Sequence, residues 1–303
     1  MSWFIVALGA PFVWSLVNHC DKIILQRYFK GGGSGGLMIF VGVIALPISV
    51  LIALFNPSVL SVSFNYIFSL IVSGLFYNIG VYLYLKALER EDASYIVAFW
   101  QLVPVFAYLF GIVFLGEYLE INKIIAGLIV MLGAVLLSIK FESTTKLTIN
   151  KRTALIMVSS SLVLALGYVL FKDSEGGEFW PSMFWNQIGM LIFGGVFLLI
   201  KPFRREFLDV IKQNSAGVLA LNIFEQTIEV VGIFINNFAL LLAPAALVIL
   251  VEYTAQPVFV FIEGIIFTII FPKFVQEDIS RNNLIQKFIS IAIMGIGLYM
   301  ITN

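Results

Sequence analysis

The sequence is poor in charge: only 12% of its 303 residues are Asp, Glu, Lys or Arg, against about a quarter in a soluble domain. It has one cysteine, Cys20, and one histidine, His19. A single cysteine excludes an intrachain disulfide. One histidine beside one cysteine leaves few nucleophile–base pairs, and neither His-Glu-x-x-His nor Gly-x-Ser-x-Gly occurs, which counts against an intramembrane enzyme. Gly31-Gly32-Gly33-Ser34-Gly35-Gly36 lacks the Lys-Ser/Thr of a phosphate loop and reads as a flexible connector, so the chain carries no ATP-binding signature. Net charge is zero, with the charges in short clusters, which counts against a nucleic-acid partner. No metal and no cofactor is expected. No basic segment precedes the first apolar run, which Met1-Ser2-Trp3 enters directly, so that run is expected to be kept as a span.

Apolar residues fill the space that charge leaves: they make up 60% of the chain, and mean hydropathy is +1.01. Spanning a bilayer as a helix takes roughly 20 apolar residues. Ten such runs can be drawn, at 3–18, 36–55, 64–88, 93–115, 123–139, 153–171, 180–200, 216–241, 244–271 and 284–301. Their unbroken length fits helices rather than the short alternating strands of a barrel. The longest polar segment, 140–152, separates five runs from five. An odd number per half forces the halves into opposite orientation. The expected architecture is therefore an all-α integral membrane protein of ten transmembrane helices, with one five-helix repeat at 1–140, a connecting loop at 141–152 and a second repeat at 153–303.

A shift of 153 positions supports the duplication, because it lays Pro104-Val105-Phe106 on Pro257-Val258-Phe259, Gly111 on Gly264 and Phe114 on Phe267. Gly74, Gly80, Gly127, Gly133, Gly295 and Gly297 lie inside runs, where small residues allow close helix approach. Basic residues crowd the loops that join odd runs to even ones, whereas the other loops hold only Lys123 and Lys172. The positive-inside rule then puts the first set in the cytoplasm and both ends of the chain outside.

Few polar residues lie at membrane depth. Glu225 and Glu229 are four apart, so they share a helix face in the middle of the eighth run, and Asn222, Gln226 and Asn236 extend the stripe. A carboxylate there costs about 2.5–3.5 kcal/mol on insertion scales, so it faces a cavity or a partner. Two carboxylates one turn apart are expected to titrate as a unit. In the ninth run Glu252, Gln256 and Glu263 share a face, but Glu252 and Glu263 lie nearer the run ends, where a packing role weighs equally with function. Pro104 and Pro257 each remove a backbone donor and free the carbonyls of Trp100 and Tyr253, which must find another partner or line a cavity. A gate at these breaks and a plain structural kink stand about even. Gln101, Asn18, His19, Asn78, Asn186 and Gln187 are weaker polar signals, and Trp100, Tyr82, Tyr84, Trp185 and Tyr253 could wall a pocket.

The segment from Tyr84 through Lys86, Glu89 and Arg90 to Val97, then Leu102-Val103-Pro104-Val105-Phe106, Leu115-Gly116-Glu117 and Gly127 with Gly133, resembles the drug/metabolite transporter superfamily, EamA type. The second half echoes it in Ala239-Leu240-Leu241-Leu242-Ala243-Pro244, Gln256-Pro257-Val258-Phe259 and Gly295, but Phe271-Pro272-Lys273 stands where a second Gly-Glu would fall. The resemblance implies two inverted five-helix halves around a central cavity and transport of small metabolites, often export, with both termini in the cytoplasm, opposite to the charge count. The expected function is a secondary transporter of a small polar or cationic metabolite (amino acid, amine or drug-like compound) by alternating access, with proton exchange and the cell inner membrane as its place. The alternatives are a lipid or lipid-linked sugar flippase and, behind it, an intramembrane enzyme. The expected partners are a small-molecule substrate and the bilayer, with the protein a monomer or homodimer.

Overall fold

A buried backbone in lipid must satisfy its own hydrogen bonds, and the apolar runs accordingly fold as helices. The structure, a computed structural model, describes residues 3–27, 33–89, 99–138, 151–173, 178–213, 216–270 and 280–302. Among them there is no strand. The helices are α1 (Trp3–Arg27), α2 (Ser34–Phe55), α3 (Phe64–Leu88), α4 (Leu102–Phe110), α5 (Ile121–Ser138), α6 (Lys151–Asp173), α7 (Phe179–Leu199), α8 (Lys201–Gln213), α9 (Ala216–Leu242), α10 (Ala245–Ile270) and α11 (Arg281–Thr302). Eight are long and apolar enough to cross a membrane, while the apolar stretches Leu102–Leu115 and Ile121–Leu137 are shorter. Residues 93–98, 139–150 and 271–273, which hold the start of the fourth run, the connector and the Phe-Pro-Lys departure, lie outside the described residues.

The exposed surface identifies the solvent. Phe55, Leu199, Val113, Leu54 and Leu132 are 86, 78, 72, 70 and 63% exposed, whereas Glu225, Glu252, Asn236 and Gln187 are buried. Apolar outside and polar inside is the arrangement of a bundle in lipid. The chain is an integral, multi-pass membrane protein.

Within the bundle α3 packs on α6 and α7, α2 on α7, α1 on α9 and α10, α4 on α6 and α10, and α5 on α11. Glycines bring the backbones together. At Gly42 a Cβ would press on Gly194, and at Gly74 it would run into the Asn186 carbonyl. In lipid such close contact, rather than hydrophobic drive, holds helices together.

Hydrogen bonds define two faces. On one, Glu89 at the end of α3 accepts from the backbone N–H groups of Gly33 and Ser34 (3.4 and 3.3 Å), and Glu206 of α8 accepts from Gly36 (3.1 Å). On the other, the Tyr66 hydroxyl of α3 meets Ser182 of α7 (2.6 Å), and Trp185 donates to the Val59 carbonyl (2.9 Å). The helix α8 was not expected from the sequence, where 201–212 reads as a charged loop. Its inner stripe is only Phe203, Phe207 and Val210, at helical spacing, and Leu208 and Ile211 lie off it on a mostly polar helix.

Candidate functional site

A cavity of about 110 Å³ occupies the middle of the bundle. In the measure by which one water takes roughly 10–15 Å³, it holds several waters or one small molecule. It runs from mid-depth toward the α8 face, as Leu37 near the start of α2 and Leu85 near the end of α3 both line it.

Its walls gather the acids. Glu225, Gln226 and Glu229 come from α9, and Glu252, Tyr253 and Gln256 from α10. The Tyr77 hydroxyl donates to Glu229 Oε1 (2.8 Å), and the Tyr168 hydroxyl donates to Glu252 Oε1 (3.0 Å). Gln226 Nε2 donates to Glu225 Oε2 (2.8 Å). The two tyrosines meet edge to face at 5.9 Å and form the cavity floor. Beyond it lies a small pocket of about 10 Å³, enough for one water, walled by the same tyrosines with Asn186, Asn236 and Asn237. Trp100 stands against Tyr84 (4.3 Å) and edge-on to Tyr253 (5.8 Å). Among the described lining residues none is Lys, Arg or His. Three buried groups on the wall make no hydrogen bond among the described residues: the Trp100 indole N–H, the Gln187 amide and Glu252 Oε2. A bound ligand would meet an acceptor-only carboxylate oxygen, a donor and an amide that is both.

The prolines behave differently from each other. Neither is among the described lining residues; the residues four positions earlier, Trp100 and Tyr253, are. Pro257 sits inside the continuous helix α10, and the carbonyl it frees, that of Tyr253, accepts from Gln101 Nε2 (3.1 Å). Pro104 sits in the first turn of α4, after the helix breaks at Gln101, where a missing donor costs little. Glu252 is not a helix-end residue but a cavity acid. Glu263 is off the cavity, between α1 and α10, where Ser15 Oγ donates to its Oε1 (2.7 Å) and His19 Nε2 lies 4.0 Å from its Oε2. Asn222 is buried but off the cavity wall, and Tyr82 and Trp185 pack elsewhere.

On the face opposite α8, Glu117 and Lys172 join the ends of α6, α9 and α10. Gly116 adopts φ +63°, a conformation that favours glycine, and turns the chain so that the Glu117 N–H bonds the Gly111 carbonyl (3.0 Å). Glu117 Oε1 pairs with Lys172 Nζ at 2.9 Å, and its Oε2 accepts from the Ala245 N–H at the start of α10 (2.9 Å). Lys172 also donates to the carbonyls of Leu240 (3.1 Å) and Ala243 at the end of α9. The cation sits at a helix C-terminus and the anion at a helix N-terminus, each where the helix dipole favours it. Sequence reasoning gave Glu117 and Lys172 no part in a site and passed over Tyr77 and Tyr168. Their partners are 55 to 152 residues away, and no local pattern marks them.

A lipid-facing helical bundle with a polar, acid-lined central cavity defines the class: a polytopic membrane protein with a polar cavity at mid-depth. Residues 1–139 match the EamA-like transporter family, in agreement over the first half with the resemblance read from its motifs. A curated relative, an uncharacterized transporter of Clostridium kluyveri, is 30% identical over 149 residues, covering 49% of this chain and 46% of that protein. The match thus spans less than half the length of that relative. A solved crystal structure shares the fold at TM-score 0.70 and 15% identity, over 98% of this chain and 95% of that one.

Proposed function

We propose that the chain is a secondary transporter that exchanges a small organic cation, or a zwitterion carrying an ammonium group, for protons by alternating access. The observation that carries this reading is the cavity wall itself: Glu229 and Glu252 line it, each held by a tyrosine hydroxyl, and among its described residues no basic side chain does. Charge buried without a counter-charge is costly, so an entering cation balances a carboxylate that has lost its proton. By linkage, protonation must weaken the cation by the factor by which the cation weakens protonation. The Trp100 indole and Gln187 amide, without a partner among the described residues, suit a ligand that also carries a hydrogen-bond acceptor.

Ten crossings in two inverted halves, 1–140 and 153–303, complete the proposal. Exchanging α1 with α6, α2 with α7, α3 with α9, α4 with α10 and α5 with α11 turns the α1–α9 contact into α6–α3, and α1–α10 into α6–α4. The α2–α7, α4–α10 and α5–α11 contacts map onto themselves. In this reading the cavity is reached from the α8 face, and the Glu117–Lys172 tie closes the other. The basic α8 face is cytoplasmic, the membrane is the cell membrane, and export is the working direction.

The test is transport by purified protein in vesicles, against a panel of amino acids, small amines and phospholipids. Movement of ammonium-bearing solutes is expected. Movement of lipid alone would replace this reading with the flippase one.

A further inference from the structure

The helix α8 is the one long amphipathic element on the described surface, and the transport reading makes no use of it. It follows α7 with only Ile200 between, and Leu199 beside it is 78% exposed. α8 therefore starts where the lipid-facing surface ends, at headgroup depth. Its inner face is fixed: Phe203 stacks on Phe197 (4.7 Å), Phe207 meets Phe40 (4.7 Å), and Val210 is buried.

The opposite face carries Lys201, Arg204, Arg205, Leu208 and Lys212, spaced at i, i+3, i+4, i+7 and i+11, which is one continuous helical stripe. All four basic residues are exposed, and none makes an ion pair among the described residues. The two acids of the helix do not neutralise the stripe. Glu206 is turned inward onto the Gly36 N–H, and Asp209 lies at the flank. Leu208 in the middle of the cations and Ile211 beside them are each 38% exposed, an apolar content that suits acyl chains below a headgroup better than bulk water.

We propose that α8 binds anionic phospholipid headgroups, with Lys201, Arg204, Arg205 and Lys212 on the phosphates and Leu208 and Ile211 toward the acyl chains. The site has a consequence for the cavity. α8 holds the start of α2 through Glu206 on Gly36 and Phe203 on Gly35, and Leu37, Met38 and Val41 of that same stretch line the cavity. Lipid on α8 therefore steadies one cavity wall. Lipid binding at α8 does not depend on whether the chain transports.

The test is native mass spectrometry and thermal unfolding of the full chain in detergent, with phosphatidylglycerol, phosphatidylcholine or inorganic phosphate added. Wild type should retain phosphatidylglycerol in preference to phosphatidylcholine and unfold at higher temperature with it, and inorganic phosphate should do nothing. At about 1 kcal/mol per basic residue near a charged headgroup, each Gln substitution should weaken retention roughly fivefold. The K201Q/R204Q/R205Q/K212Q variant should lose the preference, and the charge-keeping R204K/R205K variant should hold it. Equal retention of the two lipids by wild type, or an unchanged preference in the quadruple Gln variant, would overturn the proposal. So would an equal effect from inorganic phosphate.

Discussion

The bond from Gln101 to the Tyr253 carbonyl invites a double-mutant cycle. Pro257 deprives that carbonyl of its helical donor, and Gln101 Nε2 replaces it at 3.1 Å in a site where Gln101 is 3% exposed. Gln101→Leu should leave a buried carbonyl without a partner, a loss of about 1–3 kcal/mol in general. Hydrogen bonds in membrane bundles run lower, on average about 0.6 and at most about 1.7 kcal/mol. The substitution also removes Gln101 Oε1, which has no partner among the described residues, and this offsets part of the loss. The single variant is therefore ambiguous, but the cycle is not. Pro257→Ala restores a backbone N–H that can bond Tyr253, so Gln101→Leu should cost about 1 kcal/mol less in the Pro257→Ala background than in wild type. Unfolding in mixed detergent micelles reads this coupling. Equal costs in both backgrounds would refute the idea that Gln101 substitutes for the donor that proline lacks.

Three further outcomes follow from the same geometry. Lys172→Met should loosen the face opposite α8: in a Cys20→Ser background, a cysteine at position 237 should react with an impermeant thiol reagent from that side, and the same cysteine with Lys172 intact should not. Burial pushes the Glu89 carboxyl up, but hydrogen bonds from Ser34 and Lys86 and the Lys86 charge together outweigh it and hold the group below the ordinary 4.5. Glu89 then contributes stability above its unfolded value that is lost as pH falls through the folded one, so a melting-temperature profile should fall more steeply below about pH 4.5 in wild type than in Glu89→Gln. Single cysteines on exposed α8 positions should resist an impermeant reagent in intact cells, and ready labelling would put the α8 face outside and reverse the proposed orientation.

How much was legible depended on the range of the signal. Helices came through because lipid makes apolar length a direct code for a span, and each of the ten runs meets a helix among the described residues. Glu225 and Glu229 were legible because four residues on one helix fix a shared face. Glu252 lies nearer a run end, where packing and function weighed equally, and depth along the run could not separate them in a helix 26 residues long whose cavity turn lies in its first third. The need of the Tyr253 carbonyl for a partner could be read from Pro257, but not that Gln101, 152 positions away, would meet it. Tyr77, Tyr168 and Lys172 were invisible for the same reason, since their meaning lies in contacts between helices. α8 was lost because its apolar stripe is short and its polar residues dominate the average.

The central claim is that the cavity acids exchange protons for a cation, and proton counterflow tests it most directly. Vesicles containing the purified protein and an internal pH-sensitive dye would be given gradients of ammonium-bearing solutes, including permanently charged ones that cannot cross as neutral bases. A transported cation should drive protons the opposite way, and the Glu229→Gln, Glu252→Gln double variant should fold, with its tyrosine hydrogen bonds partly kept, yet move no protons with the solute. Transport without proton movement in wild type, or undiminished proton counterflow in the double variant, would contradict the account.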